Sequence, residues 1–218
     1  MSRIVAFFDM DHTVLAASSG VLYLRYLLRH GQVGLPVLLR SLGNAILYRV
    51  GLLDYPSVMA RLSKDSSGLG VSDLVDLCEH WFRESAVHHI SATATERIAY
   101  HRDKGHLVVM LSAATPYLVA PVAHYVGCDE YLCTQLEVVD GKLSGNIVPP
   151  DCFGLNKVHW AQDCLAKNSG DLAATYFYSD SYSDLPLLEL VGHPVAVNPD
   201  PRLRRVARAR GWPIEAFM

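Results

Sequence analysis

The sequence predicts an α/β protein: an open parallel sheet flanked by helices, interrupted after its first strand by an all-helical insertion. Three observations carry this. Ile4–Phe8 is a continuous apolar run, as a strand covered on both faces requires. From 21 to about 89, apolar residues recur at helical spacing with no strand-like alternation. Beyond 92, short apolar strands alternate with helical segments, which in one sheet implies right-handed parallel crossovers. The expected organisation is a discontinuous core over 1–15 and 92–218, with a helical cap over 16–91.

Each element has its own warrant. In the cap, Leu24, Leu27 and Leu28, then Val37 and Leu38, then Leu42, Ile46 and Leu47, and finally Leu74, Leu77 and Trp81 form helical stripes. Thr95–Arg102 reads as a helix stopped by Gly105, and Leu107–Leu111 as a strand. Thr115-Pro116 opens a helix with a capping hydroxyl and a first-turn proline. Leu136–Val139 and Lys142–Val148 form a hairpin, because Asp140-Gly141 suits a type I′ turn. Asn156–Lys167 is helix, Thr175–Tyr178 strand, Asp184–Val191 helix, Val195–Val197 strand and Pro201–Arg210 helix.

Composition narrows the class. Half of the 218 residues are hydrophobic, enough for a substantial core. The 19 basic and 22 acidic residues leave a net charge of -3, so no long-range field recruits nucleic acid or an anionic membrane. Arg202, Arg204, Arg205, Arg208 and Arg210 interleave with Leu203, Val206 and Ala207, the pattern of an amphipathic helix with a solvated basic face. The apolar stretch 35–53 contains Arg40, Asn44 and Arg49, which reads as a helix pair packed in protein, not a membrane span. The amino-terminal apolar run meets Asp9 after five residues, so it is a strand and not a signal peptide. Five cysteines without a C-x-x-C pair point to reduced thiols and a cytoplasmic protein. None of the ten histidines shows a paired metal-ligand spacing, and His88-His89 read as surface residues.

Four features carry chemistry, each at or near the carboxyl end of an expected strand, where open α/β sheets hold their ligands. They are Asp9-Met10-Asp11-His12-Thr13, then Ser112, then Lys157 at a helix start, then the pair Asp180 and Asp184. Taken singly, each acid could cap a helix, and the serine and lysine could be structural. Their joint occurrence in this order points to a site. An ionised carboxylate such as Asp9 can attack phosphorus without a base and split hydrolysis into two steps. Asp11 can protonate the departing alkoxide and then take a proton from water. Ser112 and Lys157 can hold the phosphoryl oxygens as their charge redistributes.

These residues resemble the haloacid dehalogenase superfamily, and within it the phosphoserine-phosphatase-like branch. The likeness covers nearly the whole chain: D-x-D-x-T at Asp9–Thr13, a strand-terminal Ser112, Lys157, D-x-x-x-D at Asp180–Asp184, the helical insertion and the hairpin at Asp140-Gly141. It implies a Rossmann-like core and a phosphomonoester hydrolase with an aspartyl-phosphate intermediate. It also implies Mg2+ held by Asp9, Asp180 and the backbone carbonyl of Asp11. Asp184 would hold a metal-bound water or orient Lys157, and Thr13 would fix the loop and the general acid. The implied partner is a small phosphorylated metabolite, phosphoserine-like or histidinol-phosphate-like, met by a monomer or homodimer.

Departures from the branch bear on the substrate. Phosphoserine phosphatases carry a glutamate nine residues after the nucleophile, where it meets the substrate ammonium; here Ser18 stands. Their Ser-Gly-Gly is Ser112-Ala113-Ala114, and Ser183 replaces the asparagine before the last acid. Glu84 is an acid that could replace the missing carboxylate from another cap helix, and Arg25, Arg29, Arg61 and Lys64 are candidates for contacting a substrate anion. Two rival classes share parts of this set. A phosphotransferase or phosphomutase would use the same acyl-phosphate chemistry, whereas a phosphoacceptor signalling module would lack the large helical insertion.

Overall fold

The computed structural model describes residues 3–35, 39, 43 and 55–218. Strand β1 (Val5–Phe8) is followed by helices α1 (Ser19–Arg29), α2 (Tyr55–Asp65) and α3 (Val71–Glu84). Then come α4 (Ala92–Asp103), β2 (Leu107–Ser112), α5 (Pro116–Val126), β3 (Glu130–Cys133) and the hairpin β4 (Gln135–Val139) and β5 (Lys142–Val148). Helix α6 (Asn156–Lys167), β6 (Tyr176–Ser179), the short α7 (Leu185–Leu188), β7 (His193–Val197), α8 (Pro201–Arg210) and β8 (Ile214–Glu215) complete the fold. The helix pair expected over 35–53 lies outside the described residues apart from Leu35, Leu39 and Gly43.

The six-stranded sheet has the order β3-β2-β1-β6-β7-β8, and every pairing is parallel. Alternation along β1 explains the layers. Ala6 and Phe8 join Met110, Tyr178, Val195 and Val197 in a core beneath the cap, α4 and α5. Val5 and Phe7 join Val109, Leu111, Phe177 and Ala196 in a second core beneath α6, α7 and α8. Both faces of β1 are buried, which is why its four residues are all apolar. The chain runs outward from β1 to β3 on one side and resumes on the other at β6. The crevice at this reversal opens beyond the carboxyl end of β1.

Helical signals hold with local differences. Gly105 and Gly127 take left-handed conformations behind α4 and α5, and Asp140 and Gly141 both have positive φ, as a type I′ turn demands. Pro116 does open α5, but the Thr115 hydroxyl makes no capping bond. The helix expected over Asp184–Val191 is a 3₁₀ turn (Tyr182–Asp184) running into the one-turn α7. Edge strands β3 and β8 are too short to show a period and have no counterpart in the sequence reading.

The hairpin leans on the cap. Gly68 N–H donates to the Leu143 carbonyl (2.8 Å), Leu143 N–H to Leu69 (2.9 Å) and Val71 N–H to Gly141 (2.9 Å). The Ser67 hydroxyl donates to the Ser144 carbonyl (3.0 Å). At the hairpin's root, Thr134 N–H donates to the Ala114 carbonyl (3.2 Å), and Cys152 N–H donates to the Thr134 hydroxyl (3.0 Å). Among the described residues, no helix is long and apolar enough to cross a membrane.

Candidate active site

Asp9 is the first residue past β1, and its N–H donates to the Tyr178 carbonyl of β6 (2.9 Å), extending the ladder by one rung. The register that pairs Phe8 with Tyr178 sets Asp9 beside Ser179, so Asp180 begins the loop next to it. Asp9, Asp180 and Asp184 are all buried, and Lys157 is the one buried lysine or arginine among the described residues. Lys157 sits in the first turn of α6 and reaches back under the sheet end. Its ammonium donates to Asp9 Oδ1 at 2.6 Å and to Asp184 Oδ2 at 2.7 Å. Ser179 Oγ donates to the same Asp184 oxygen at 2.7 Å. The two carboxylates hold the Lys157 pKa well above the usual lysine value despite its burial.

Burial pushes Asp9 up to about 7 against the pull of the neighbouring ammonium. Asp11 differs in kind. Its Oδ1 accepts from the Ser19 N–H (2.9 Å) and its Oδ2 from the Ser19 hydroxyl (3.1 Å), at the start of α1. Burial nevertheless pushes it up to about 6, within reach of proton exchange near neutrality. Ser112 ends β2, fully in the core, and its Oγ accepts from the Ala114 N–H at 3.2 Å.

The structure therefore brings Asp9, Lys157 and Asp184 into one buried ion cluster, with Asp11, Ser112 and Asp180 at neighbouring strand ends. Thr13 is fully buried, yet its hydroxyl has no hydrogen-bond partner; the contact with Asp11 belongs to Ser19. Ser19 escaped the sequence reading, although Ser18-Ser19-Gly20 ahead of a helical stripe is a helix-start signal. Asp200 also escaped it. Its carboxylate accepts from Tyr182 N–H and caps α8 through Arg202 and Leu203, while its own N–H donates to the Asp180 carbonyl. The excess of carboxylates over ammonium at this crevice suits a bound cation. Donors that are all oxygen suit a hard one.

Above the site, Tyr23 lies one turn beyond Ser19 on the same face of α1. Its hydroxyl is hydrogen-bonded to Cys78 of α3, and Trp81 meets it edge-on at 6.1 Å. Glu84 is elsewhere. It is exposed and pairs with His30 (3.3 Å) just past the far end of α1, an 11-residue helix whose first residue, Ser19, contacts Asp11. Arg25, Arg29, Arg61 and Lys64 are exposed.

A family model for haloacid dehalogenase-like hydrolases matches residues 6–189. The chain belongs to that family. Among curated hydrolase relatives, a phosphoserine phosphatase of Mycobacterium tuberculosis, SerB1, is 36% identical over 97% of this chain and 70% of its own length. A histidinol-phosphatase of Neisseria meningitidis is 31% identical over 98% of both chains. A crystal structure of a Bordetella pertussis protein of unknown function superimposes with a TM-score of 0.89 at 30% identity over the full length of both. A phospho-aspartyl intermediate analogue of phosphoserine phosphatase shares the fold, with a TM-score of 0.75 at 16% identity. The superfamily and branch that the motifs resemble are thus the ones these proteins occupy.

Proposed function

We propose that this haloacid dehalogenase-like hydrolase is a magnesium-dependent phosphomonoester phosphatase working through an aspartyl phosphate on Asp9. The buried Asp9–Lys157–Asp184 cluster, with a near-neutral Asp11 two residues from Asp9, is the observation that carries it. Lys157 neutralises one negative reactant while its remaining proton can meet a phosphoryl oxygen. Ser112 offers a second donor from the neighbouring strand. Asp9 attacks phosphorus as the bond to the leaving oxygen breaks, and Asp11 gives that oxygen its proton. Water then attacks the phosphorus of the aspartyl phosphate, Asp11 takes the water's proton, and the bond between phosphorus and the Asp9 oxygen breaks to give Asp9 carboxylate and inorganic phosphate. The Asp9 and Asp180 carboxylates and the Asp11 carbonyl would hold magnesium, which, when bound, offsets repulsion between carboxylate and phosphate and keeps Asp9 ionised. Residues 1–15 and 92–218 act as the catalytic core in this reading, and 16–91 as the cap.

The relatives' names favour a small phosphorylated metabolite. The residues favour a head group other than that of phosphoserine. An enclosed ammonium needs a carboxylate partner. Ser18 is neutral and Glu84 pairs with His30, while the partly exposed ring of Tyr23, backed edge-on by buried Trp81, is aromatic. The test is release of phosphate from phosphoserine, histidinol phosphate and simple sugar phosphates, with magnesium and after exhaustive chelation. Activity should vanish on chelation, and phosphoserine should not lead. Full activity without metal, or a phosphoserine kcat/KM more than about tenfold above the rest, would overturn the respective half of the proposal.

A further inference from the structure

The tightest turn in the site is held from outside it. His12, between the general acid and Thr13, sits at φ 57°, a conformation uncommon for a residue with a side chain. Its carbonyl accepts from Asn198 Nδ2 at 3.0 Å. Asn198 lies just past β7 and is itself at φ 42°, directly before Pro199, where crowding by the proline ring narrows the choice further. Such a backbone persists when its surroundings over-determine it. Here they do: Asn198 N–H donates to the Glu215 carbonyl (2.9 Å), and Asn198 Oδ1 accepts from Phe217 N–H (3.0 Å). The Phe217 carbonyl in turn accepts from the Ser91 hydroxyl, in the second cap linker, whose N–H donates to Val14 (2.9 Å). Two residues on, Asp200 N–H donates to the Asp180 carbonyl (2.9 Å).

We infer that Asn198 is a positioning residue that sets the angle between Asp11 and Asp9. Its amide has a fixed polarity: the donor end grips the catalytic loop and the acceptor end grips the β8 segment. Only a planar group with one donor and one acceptor spans both. Pinning the His12 carbonyl fixes the peptide between His12 and Thr13 and, with His12 held at its positive φ, the direction in which the adjoining Asp11 carboxyl leaves the chain. The site's proton transfer then depends on a residue that touches no reacting atom.

This inference rests on the roles proposed for Asp9 and Asp11, and two variants separate it from a structural role. Asn198→Gly accepts the positive φ and removes the amide. Asn198→Asp keeps the size and the acceptor for Phe217 but loses the donor for His12. Both should lower kcat for phenyl phosphate by about tenfold or more and for p-nitrophenyl phosphate by no more than about threefold, since a misplaced acid costs most where the leaving group needs a proton. KM should stay within about twofold, because binding groups are untouched. Equal losses for the two esters, or a loss explained by a collapsed unfolding midpoint in both variants, would overturn the inference. Amide hydrogen exchange over residues 10–14 is read alongside and needs no turnover: it should quicken in both variants, and unchanged exchange would also refute the role. Failure of the wild-type protein to hydrolyse either ester would count against the proposed function, while the exchange result still decides this one.

Discussion

Asp9 and Asp11 are two residues apart and meet opposite surroundings. Asp9 faces an ammonium; Asp11 faces a backbone N–H and a hydroxyl. A nucleophile must be ionised and a general acid must carry a proton; burial raises Asp9 to about 7 and Asp11 to about 6, so in the proposed reading it is the bound cation that would keep Asp9 ionised. Asp9→Asn should abolish phosphate release and any acid-stable incorporation of phosphate, with an unchanged circular dichroism spectrum. Asp11→Asn should instead spare good leaving groups, with a loss that grows as the leaving-group pKa rises. A folded Asp9→Asn protein that still turns over would remove the nucleophile assignment, and a flat leaving-group dependence would remove Asp11 as the acid. The candidate residues visible in the sequence were those that end or follow apolar strands, together with Lys157 at a helix start. Ser19, Asn198 and Asp200 were not visible: Ser19 meets the Asp11 carboxylate from a helix start, and Asn198 and Asp200 work through backbone atoms of other loops. In sequence, a serine, asparagine or aspartate in a loop looks the same whether it caps a helix, turns the chain or holds a catalytic segment.

At the level of elements, α6 does two things: Ala161, Cys164 and Leu165 pack into the second core, and its first turn presents Lys157 to the site. It carries Lys157 into a space bounded by β1 and β6, where the ammonium proposed to act in catalysis also pairs with two buried carboxylates. A raised lysine pKa contributes stability that is complete below the ordinary lysine value and lost only as pH climbs through the folded one. Lys157→Met would leave Asp9 and Asp184 buried without their cation, a change that typically costs about 3–5 kcal/mol. Urea unfolding should show that loss at pH 8 and a smaller one at pH 5, where the orphaned carboxyls take up protons. Equal losses at both pH values would mean that packing, not charge, is what Lys157 provides. Elements with a full period were legible: β1, β2, the hairpin, α4 and α6. Strands β3 and β8 were not, since an edge strand of four or two residues buries little and need not alternate. The helix after Asp184 was overestimated mainly at its far end: it stops at Leu188 and 189–191 turn away, while at its start only Asp184 falls in the 3₁₀ segment.

On the scale of the whole molecule, one buried imidazole opposes folding in acid. His101 of α4 is fully buried, with Nδ1 2.8 Å from His106 Nδ1 and Nε2 3.0 Å from the Tyr178 hydroxyl. Burial, aided by His106 and Arg97, pushes its pKa down to about 4. Facing ring nitrogens can share one proton and not two. Because the unfolded chain binds that proton near 6.5, stability is unaffected above this value and falls as pH drops toward 4, by at most about 1.4 kcal/mol per pH unit. Asp9 and Asp11 work the other way. Their raised values mean that folding is favoured as pH falls through 7 and 6 toward the ordinary carboxylate range. The two trends oppose each other in the wild-type curve, so comparison with a variant is needed. His101→Gln should lose less stability between pH 6.5 and 4.5 than the wild type, measured as unfolding free energy in urea. An identical slope would show that His101 is not the acid-sensitive group.

The hairpin gives the cap a third anchorage. A body tied to its base by two adjacent linkers can swing like a door; one also laced at its far side can only rock, unless the lacing travels with it. The backbone bonds from Gly68, Leu69 and Val71 couple cap and hairpin into one lever, and the lever's fulcrum lies at Thr134 and Cys152. From there Thr134 pulls on the Ala114 carbonyl, two residues from Ser112. An unbroken run of hydrogen bonds thus joins the helical insertion, through the hairpin, to the chain two residues from Ser112.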